Sequence, residues 1–503
     1  MAVPGRPPDI VVVVLDCVRA ADFVGGSPGI GGMPFCEELR RESIAFPRAI
    51  SPSPWTIPSH ATIFTGLPPW ETGCHWKGSL QLADRFSRVP AVLQEQGYRT
   101  MSLSANPLIE PSFGLVEGFQ QVAWSGWWEP FLRYATPHPP HGLPASKTGV
   151  ASRLAARRQR KGPVDFLIKK VRPSIIQHPV VMVAGNRFVH GLRQERGEET
   201  RSIARWLEPT FADWVGGVPH DQPLYAFINL LDAHEPYFPD GDRLRGLSKW
   251  RDYAATRQDP VAWMNGDWKA TAENFELIHD LYREMIAGMD RRLRGIVDAL
   301  KANGRWDRTA LIVTGDHGQA FGEHGTLFHF FRVDEQLVRV PMWLRLPGGA
   351  QGGTEGRGWA SLVDIAPTVF ELSGRPRSVH RSAYSLTSLT DAERPEPAVA
   401  ISDGIVWGHF RSRFRPEGVD KFDRVYAAAY SGDWKVVADM RTNSQSAYDV
   451  ARDPGETRNE WTDSDALSRL SVVARAAGAR TTSGTPSELT EDVEDRLTAW
   501  GYV

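Results

Sequence analysis

The chain has 503 residues, 41% hydrophobic and 23% charged, with a net charge of −2. That length predicts one large domain and a smaller one, and a charge so near neutrality excludes a nucleic-acid binder working through its overall field. Three cysteines, Cys17, Cys36 and Cys74, are too few for a disulfide framework and fit a reducing compartment.

The first apolar run, IVVVVL at Ile10–Leu15, is too short for a signal-peptide core or a membrane span, and no small-residue cleavage site follows. The expectation is a cytoplasmic protein without a transmembrane segment. Unbroken and β-branched, the run reads as a buried parallel strand. Further strands are predicted at Thr100–Ser104, Leu224–Leu230, Ala310–Thr314 and Val340–Leu346. Helical spacing occupies Val89–Glu95, Asn274–Leu300 and Leu362–Leu372. This alternation predicts an α/β fold, a central sheet covered by helices on both faces.

Two stretches break the rhythm. Residues 124–193 contain PHPPHGLP and a run rich in Lys and Arg around Arg153–Arg172, which reads as an insertion: a lid, a docking surface or a solvated excursion. After TDAERPEPAVA, near Pro395, short strands take over, with a hairpin expected around Ser431-Gly432-Asp433. The expected division is a catalytic domain over 1–390 and a C-terminal α+β subdomain over 391–503.

The chemistry sits where apolar strands end. Asp16 closes the first strand, and Ala310–Thr314 runs into Gly315-Asp316-His317-Gly318. In open α/β sheets ligands bind beyond the carboxyl ends of strands, so these residues could converge on one divalent ion. A lone aspartate there could equally cap a turn. The glycines around Asp316-His317 are expected to let the backbone bend until both side chains point one way. Leu224–Leu230 leads into LLDAHEPYFPD, where Pro236 keeps the chain at His234 extended or turning. His60, His234, His317, His324 and His329, five of fourteen histidines, stand at strand ends or within these motifs.

Seven stretches carry a resemblance in order: VVVVLDCVRA, SPSPWTIPSHATIFTG, LLDAHEPY, VTGDHGQAFGEHG, RVPMWLRLPG, LVDIAPTVFELSG and YDVARDPGETRNEW. Together they resemble the sulfatase-like branch of the alkaline phosphatase superfamily over nearly the whole chain. The resemblance implies a central mixed sheet sandwiched by helices, with a C-terminal subdomain closing one side of the active site.

In that family a cysteine oxidised to formylglycine stands where this chain has Thr56. Threonine has no thiol to oxidise, so Thr56 must act as itself, as unmodified Thr or Ser nucleophiles do in phosphoryl-transferring relatives. The resemblance implies Asp16, Thr56, Asp316 and His317 as metal ligands. Such a mixture suits Ca²⁺ or Mn²⁺, and also Mg²⁺ or Zn²⁺. His329, 13 residues after Asp316 (329 − 316), and His234 resemble histidines of membrane phosphoethanolamine transferases that contact the transferred group or a second ion. They are therefore expected to be catalytic and, with His60, substrate-binding. The chain departs from sulfatases at Cys17, usually aspartate; at His60, usually arginine; and at Gln319, often glutamate. The expected function is metal-dependent hydrolysis of a small-molecule phosphate or sulfate ester through Thr56. A transferase using an alcohol or amine acceptor, and a catalytically degenerate binding protein, are the alternatives.

Overall fold

The computed structural model describes residues 6–23, 33–124, 133–135, 206–235, 237, 252–253, 255–329, 331–376, 379–404 and 415–482. The strands in chain order are β1 (Asp9–Leu15), β2 (Ile44–Ala45), β3 (Ala49–Ile50), β4 (Arg99–Ser104), β5 (Gln121–Trp124), β6 (Arg133–Ala135), β7 (Leu224–Leu230) and β8 (Thr309–Gly315). They continue with β9 (Ala320–Phe321), β10 (Leu327–Phe328), β11 (Met342–Arg345), β12 (Ala360–Ser361), β13 (Ala398–Ser402), β14 (Tyr426–Ser431), β15 (Trp434–Asp439) and β16 (Ser444–Asp449).

Eight strands form one sheet in the order β2-β11-β8-β1-β7-β4-β5-β6. The inner five, β8 to β5, run parallel. Both margins are antiparallel, with β11 and β2 on one side and β6 on the other. Val13 pairs with Ile228 on one flank and Val313 on the other. Every residue of β1, β7 and β8 is buried, which requires cover on both faces of the sheet.

Two groups of helices supply cover. Helix Ala272–Ala302 packs against helices Leu207–Gly217 and Pro34–Arg41, while Thr56–Thr65, Val89–Glu95 and Ile365–Leu372 pack among themselves. The long helix starts at a reciprocal cap: Thr271 Oγ1 accepts from Asn274 N, and Asn274 Oδ1 accepts from Thr271 N at 3.0 Å. Its apolar stripe, including Ile278, Tyr282, Ile286, Met289 and Leu293, is buried.

The strand expected over Val340–Leu346 is shorter. Pro341 has no N–H to give a ladder, and Val340 N donates instead to Ala49 O at 3.1 Å, leaving Met342–Arg345 as the strand. Strands β13 to β16 make a separate antiparallel sheet, on which helix Asp465–Thr482 packs. The expected hairpin is present, with Ser431 paired to Trp434 and Gly432 at φ +56°. Arg153–Arg172 and most of the expected insertion lie outside the described residues. Among the described residues no helix is long and apolar enough to cross a membrane.

Candidate active site

Four adjacent parallel strands, β8-β1-β7-β4, deliver side chains to one edge of the sheet. Asp316 and His317 follow β8, and Asp16 follows β1. Asn229 lies near the end of β7 with His234 and Glu235 beyond it, and Asn106 follows β4. Because the strands are parallel and in register, their carboxyl ends open one crevice.

Asp16 and Asp316 are fully buried there. Asp16 Oδ2 accepts from Asn106 Nδ2 at 2.7 Å and from Asn229 Nδ2 at 3.0 Å. Burial opposes ionisation of Asp16, but His234, His317 and these two amides outweigh it and hold the carboxyl below its usual range. Asp316 Oδ1 accepts from the backbone of Cys17 at 3.1 Å and of His317 at 2.9 Å. Burial, and then the charge of Asp16, push Asp316 well above the carboxylate range. Its Oδ2 lies 3.4 Å from His317 Nε2, and both atoms are buried without a hydrogen-bond partner. Burial, reinforced by neighbouring His329, drives His317 toward its neutral form. An imidazole nitrogen and a carboxylate oxygen without hydrogen-bond partners in a dry site, beside a second carboxylate, have the character of a cation's ligands.

The flanking glycines act differently from the expectation. Neither Gly315 nor Gly318 has positive φ, so neither is needed for an unusual bend. A Cβ on Gly318 would lie 2.1 Å from Gln336 O, and one on Gly315 2.7 Å from Val18 O. The glycines admit neighbouring backbone, and that close approach holds the Asp-His pair.

Thr56 is 1% exposed and opens helix Thr56–Thr65, which ends at Gly66 with φ +71°. Its side chain is thus at the positive end of the helix, where unpaired N–H groups favour an anion. Asn106 Nδ2 reaches Thr56 Oγ1 at 3.4 Å as well as Asp16. His60, one turn on, interacts through Nδ1 with the Thr56 carbonyl at 2.8 Å and through Nε2 with Asn229 Nδ2 at 3.5 Å. It packs edge-on against Phe227, and burial lowers its pKa to about 4. His60, expected to contact substrate, is fully buried, and its Nδ1 also lies 3.7 Å from Asp316 Oδ2.

His234 and His329 meet edge to face at 4.9 Å, and His329 stacks beside His317 at 4.5 Å. Between the first pair is Glu235, whose Oε2 lies 3.3 Å from His234 Nδ1 and 3.5 Å from His329 Nδ1. Gln319 donates to Glu235 Oε2 at 2.7 Å and offers Oε1 to His329 Nδ1 at 2.9 Å. His324 groups elsewhere, with Asp334 and Glu456. Reading the sequence missed Asn106, Asn229 and Glu235. Asn106 had a signal, since it is the first strongly polar side chain past a strand end, as Asp16 is. Glu235 had only its adjacency to His234.

This sheet, with its chemistry gathered at the carboxyl edge of β8, β1, β7 and β4, defines an enzyme of the alkaline phosphatase superfamily. The chain belongs to the Sulfatase family, whose profile matches residues 8–375, and it is a hydrolase of that family. Arylsulfatase K of Xenopus laevis is 23% identical over 91% of this chain and 80% of its own. The phosphonate monoester hydrolase of Agrobacterium radiobacter superposes with a TM-score of 0.61 at 20% identity, covering 96% of this chain and 98% of that one. BT4656, solved in complex with its substrate D-glucosamine-2-N,6-O-disulfate, gives a TM-score of 0.61 at 15% identity over 96% and 100% of the two chains.

Proposed function

We propose that the protein hydrolyses a small-molecule phosphate or sulfate ester through a covalent adduct on Thr56. The observation that carries this reading is the bridge made by Asn106, which holds Asp16 Oδ2 at 2.7 Å and Thr56 Oγ1 at 3.4 Å. It brings the Thr56 hydroxyl, at a helix N-terminus, beside the Asp16 carboxylate.

Asp16, Asp316, His317 and Thr56 Oγ1 would hold a divalent ion. The partnerless Asp316 Oδ2 and His317 Nε2, and two buried carboxylates that repel one another, fit that role. Such a donor set suits Ca²⁺ or Mn²⁺, with Mg²⁺ and Zn²⁺ also accommodated. When bound, the ion lowers the pKa of the hydroxyl and offsets charge on the ester. Thr56 Oγ1 then forms a bond to phosphorus or sulfur, and the bond to the leaving alcohol breaks. The N-terminal N–H groups of the helix, with His234 and His329, steady the oxygens of the group in flight. Water attacks the adduct, returns the hydroxyl to Thr56 and releases phosphate or sulfate. An alcohol or amine in place of water would make the same first half a transferase.

The test is intact-mass measurement of the protein quenched during turnover of an aryl phosphate and, separately, an aryl sulfate. A phospho- or sulfo-adduct mapped to Thr56 is expected with one of them. Thr56→Ala should lose the adduct and lower turnover by orders of magnitude, with Thr56→Ser keeping part of it. Full turnover by Thr56→Ala would overturn the reading.

A further inference from the structure

A pocket of about 260 Å³ lies between the loop around β10 and the chain that leads into β14. From the loop come His324, Phe331 and Arg332; from the other side come Lys421 and Phe422, ending the helix Pro416–Phe422, with Arg424 and Tyr426. A cavity of this size accepts a molecule of about one ring. Its lining holds three fixed positive charges and no carboxylate. Arg332 forks onto Asp334 at 2.5 and 2.9 Å, and Arg424 Nη1 donates to Asp439 Oδ2 at 3.0 Å. Lys421 is exposed and has no carboxylate partner among the described residues, so one positive charge is left over. Two lining residues also carry a buried nitrogen without a hydrogen-bond partner, Arg424 Nε and His324 Nε2. Oxygens of an anion would meet both, and leaving such atoms unmet is costly.

The carboxylates beside His324 are already matched, which argues against a cation there. Asp334 and Glu456 each bring an oxygen within 4.8 Å of a ring nitrogen of His324. Arg332, however, takes both oxygens of Asp334, while Lys435 Nζ lies 2.7 Å from Glu456 Oε1 and Glu335 N donates to Glu456 Oε2 at 2.7 Å. A cation would have to break these buried pairs, and an anion in the pocket breaks none. Flat apolar walls stand next to the cations. The Phe331 and Phe422 ring centres are 5.7 Å apart, and the Arg332 guanidinium lies 5.3 Å from the centre of the Tyr426 ring. The loop is strained where it makes these walls: His324 has φ +49° and Phe331 φ +69°, left-handed values that bulky side chains rarely adopt. Such strain gathers at ligand clamps. Gly325, at φ +72°, leaves room for Lys421, whose Nζ would stand 3.4 Å from a Cβ there.

We propose that this pocket binds a small organic oxyanion carried on a flat ring, an aryl carboxylate, sulfate or phosphate. Lys421, Arg424 Nε and His324 Nε2 meet its oxygens, as charge-assisted donors do, and Phe331, Phe422 and Tyr426 cover its ring. The pocket shares no lining residue with the group around Thr56, so it does not depend on Thr56 being the nucleophile. It does share a loop with that group. Phe331 stands two residues after His329 (331 − 329), and Arg19 Nη1 ties the Gln319 carbonyl, at 3.1 Å, to Glu323, at 2.9 Å, beside His324. The anion has two possible sources, a charged group on the leaving alcohol of the ester or a separate molecule.

Isothermal titration of the full chain with benzoate, and with benzyl alcohol as a similar ring without the charge, tests this. Wild type should bind benzoate, and benzyl alcohol about tenfold more weakly or not at all. Lys421→Glu, at an exposed position, should weaken benzoate by about tenfold. Arg424→Lys keeps a charge for Asp439 but removes Nε, and a loss of about the same size is expected. Thr56→Ala should bind benzoate as wild type does, which separates this result from the nucleophile assignment. Absence of benzoate binding in wild type, undiminished binding in both lining variants, or loss of binding in Thr56→Ala would overturn the proposal. Turnover of two aryl esters, one with a ring carboxylate and one without, then identifies the source. A KM raised by Lys421→Glu only for the carboxylate-bearing ester assigns the anion to the substrate, and KM values unchanged for both assign it to a separate molecule.

Discussion

His317 Nε2 lies 3.4 Å from Asp316 Oδ2, and neither buried atom has a hydrogen-bond partner. Unmet polar atoms in a dry interior are costly unless something else meets them. Asp316→Asn preserves the side-chain shape and its Oδ1 acceptor but removes the charge. Elemental analysis should show one fewer ion per chain, and turnover should fall by about 100-fold or more.

Asn106 ties Asp16 to Thr56, and its own backbone is fixed: its N–H donates to Ser104 Oγ at 3.0 Å and its Oδ1 accepts from Leu108 N at 2.9 Å. Asn106→Ala should lower kcat by roughly 10- to 100-fold through misplacement of the hydroxyl, with the first ion still bound. Loss of the ion together with activity would show that Asn106 matters through Asp16 alone.

His60 gives a pH signature. Burial lowers its pKa from 6.5 to about 4, so the folded protein holds it neutral while the unfolded chain charges it earlier. Its contribution is fully present above pH 6.5 and is lost as the pH falls through 4. A shift of this size corresponds to about 3 kcal/mol over that window. Urea denaturation between pH 7 and pH 4 should be less steeply pH-dependent in His60→Gln than in wild type.

Gly318→Ala would press a methyl group to 2.1 Å from Gln336 O, against backbone that cannot swing aside. A loss of about 2 kcal/mol is expected, together with reduced turnover as His317 and Gln319 shift. Gly217→Ala, where nothing lies within 4 Å, is the control, and thermal melts of both variants check the difference.

The sequence by itself determined the strands that carry the site. A run such as IVVVVL has no polar face, so it must be a strand buried on both sides, and Leu224–Leu230 follows the same rule. It also determined that Asp16, Asp316 and His317 stand just past strand ends, because an apolar run stops where a charge begins. Only the tertiary structure decided which strand ends are neighbours. The order β8-β1-β7-β4 puts residues about 300 positions apart (Asp16 and Asp316) on one edge, and no local pattern encodes that pairing. The same holds for Asn106, whose two contacts come from β1 and from a helix. It holds for His60, whose contacts with the Thr56 carbonyl, Asn229 and Phe227 join a helix to β7. The glycines beside Asp316 and His317 follow suit, because close approach of a distant chain leaves no mark in the sequence beyond the missing side chain.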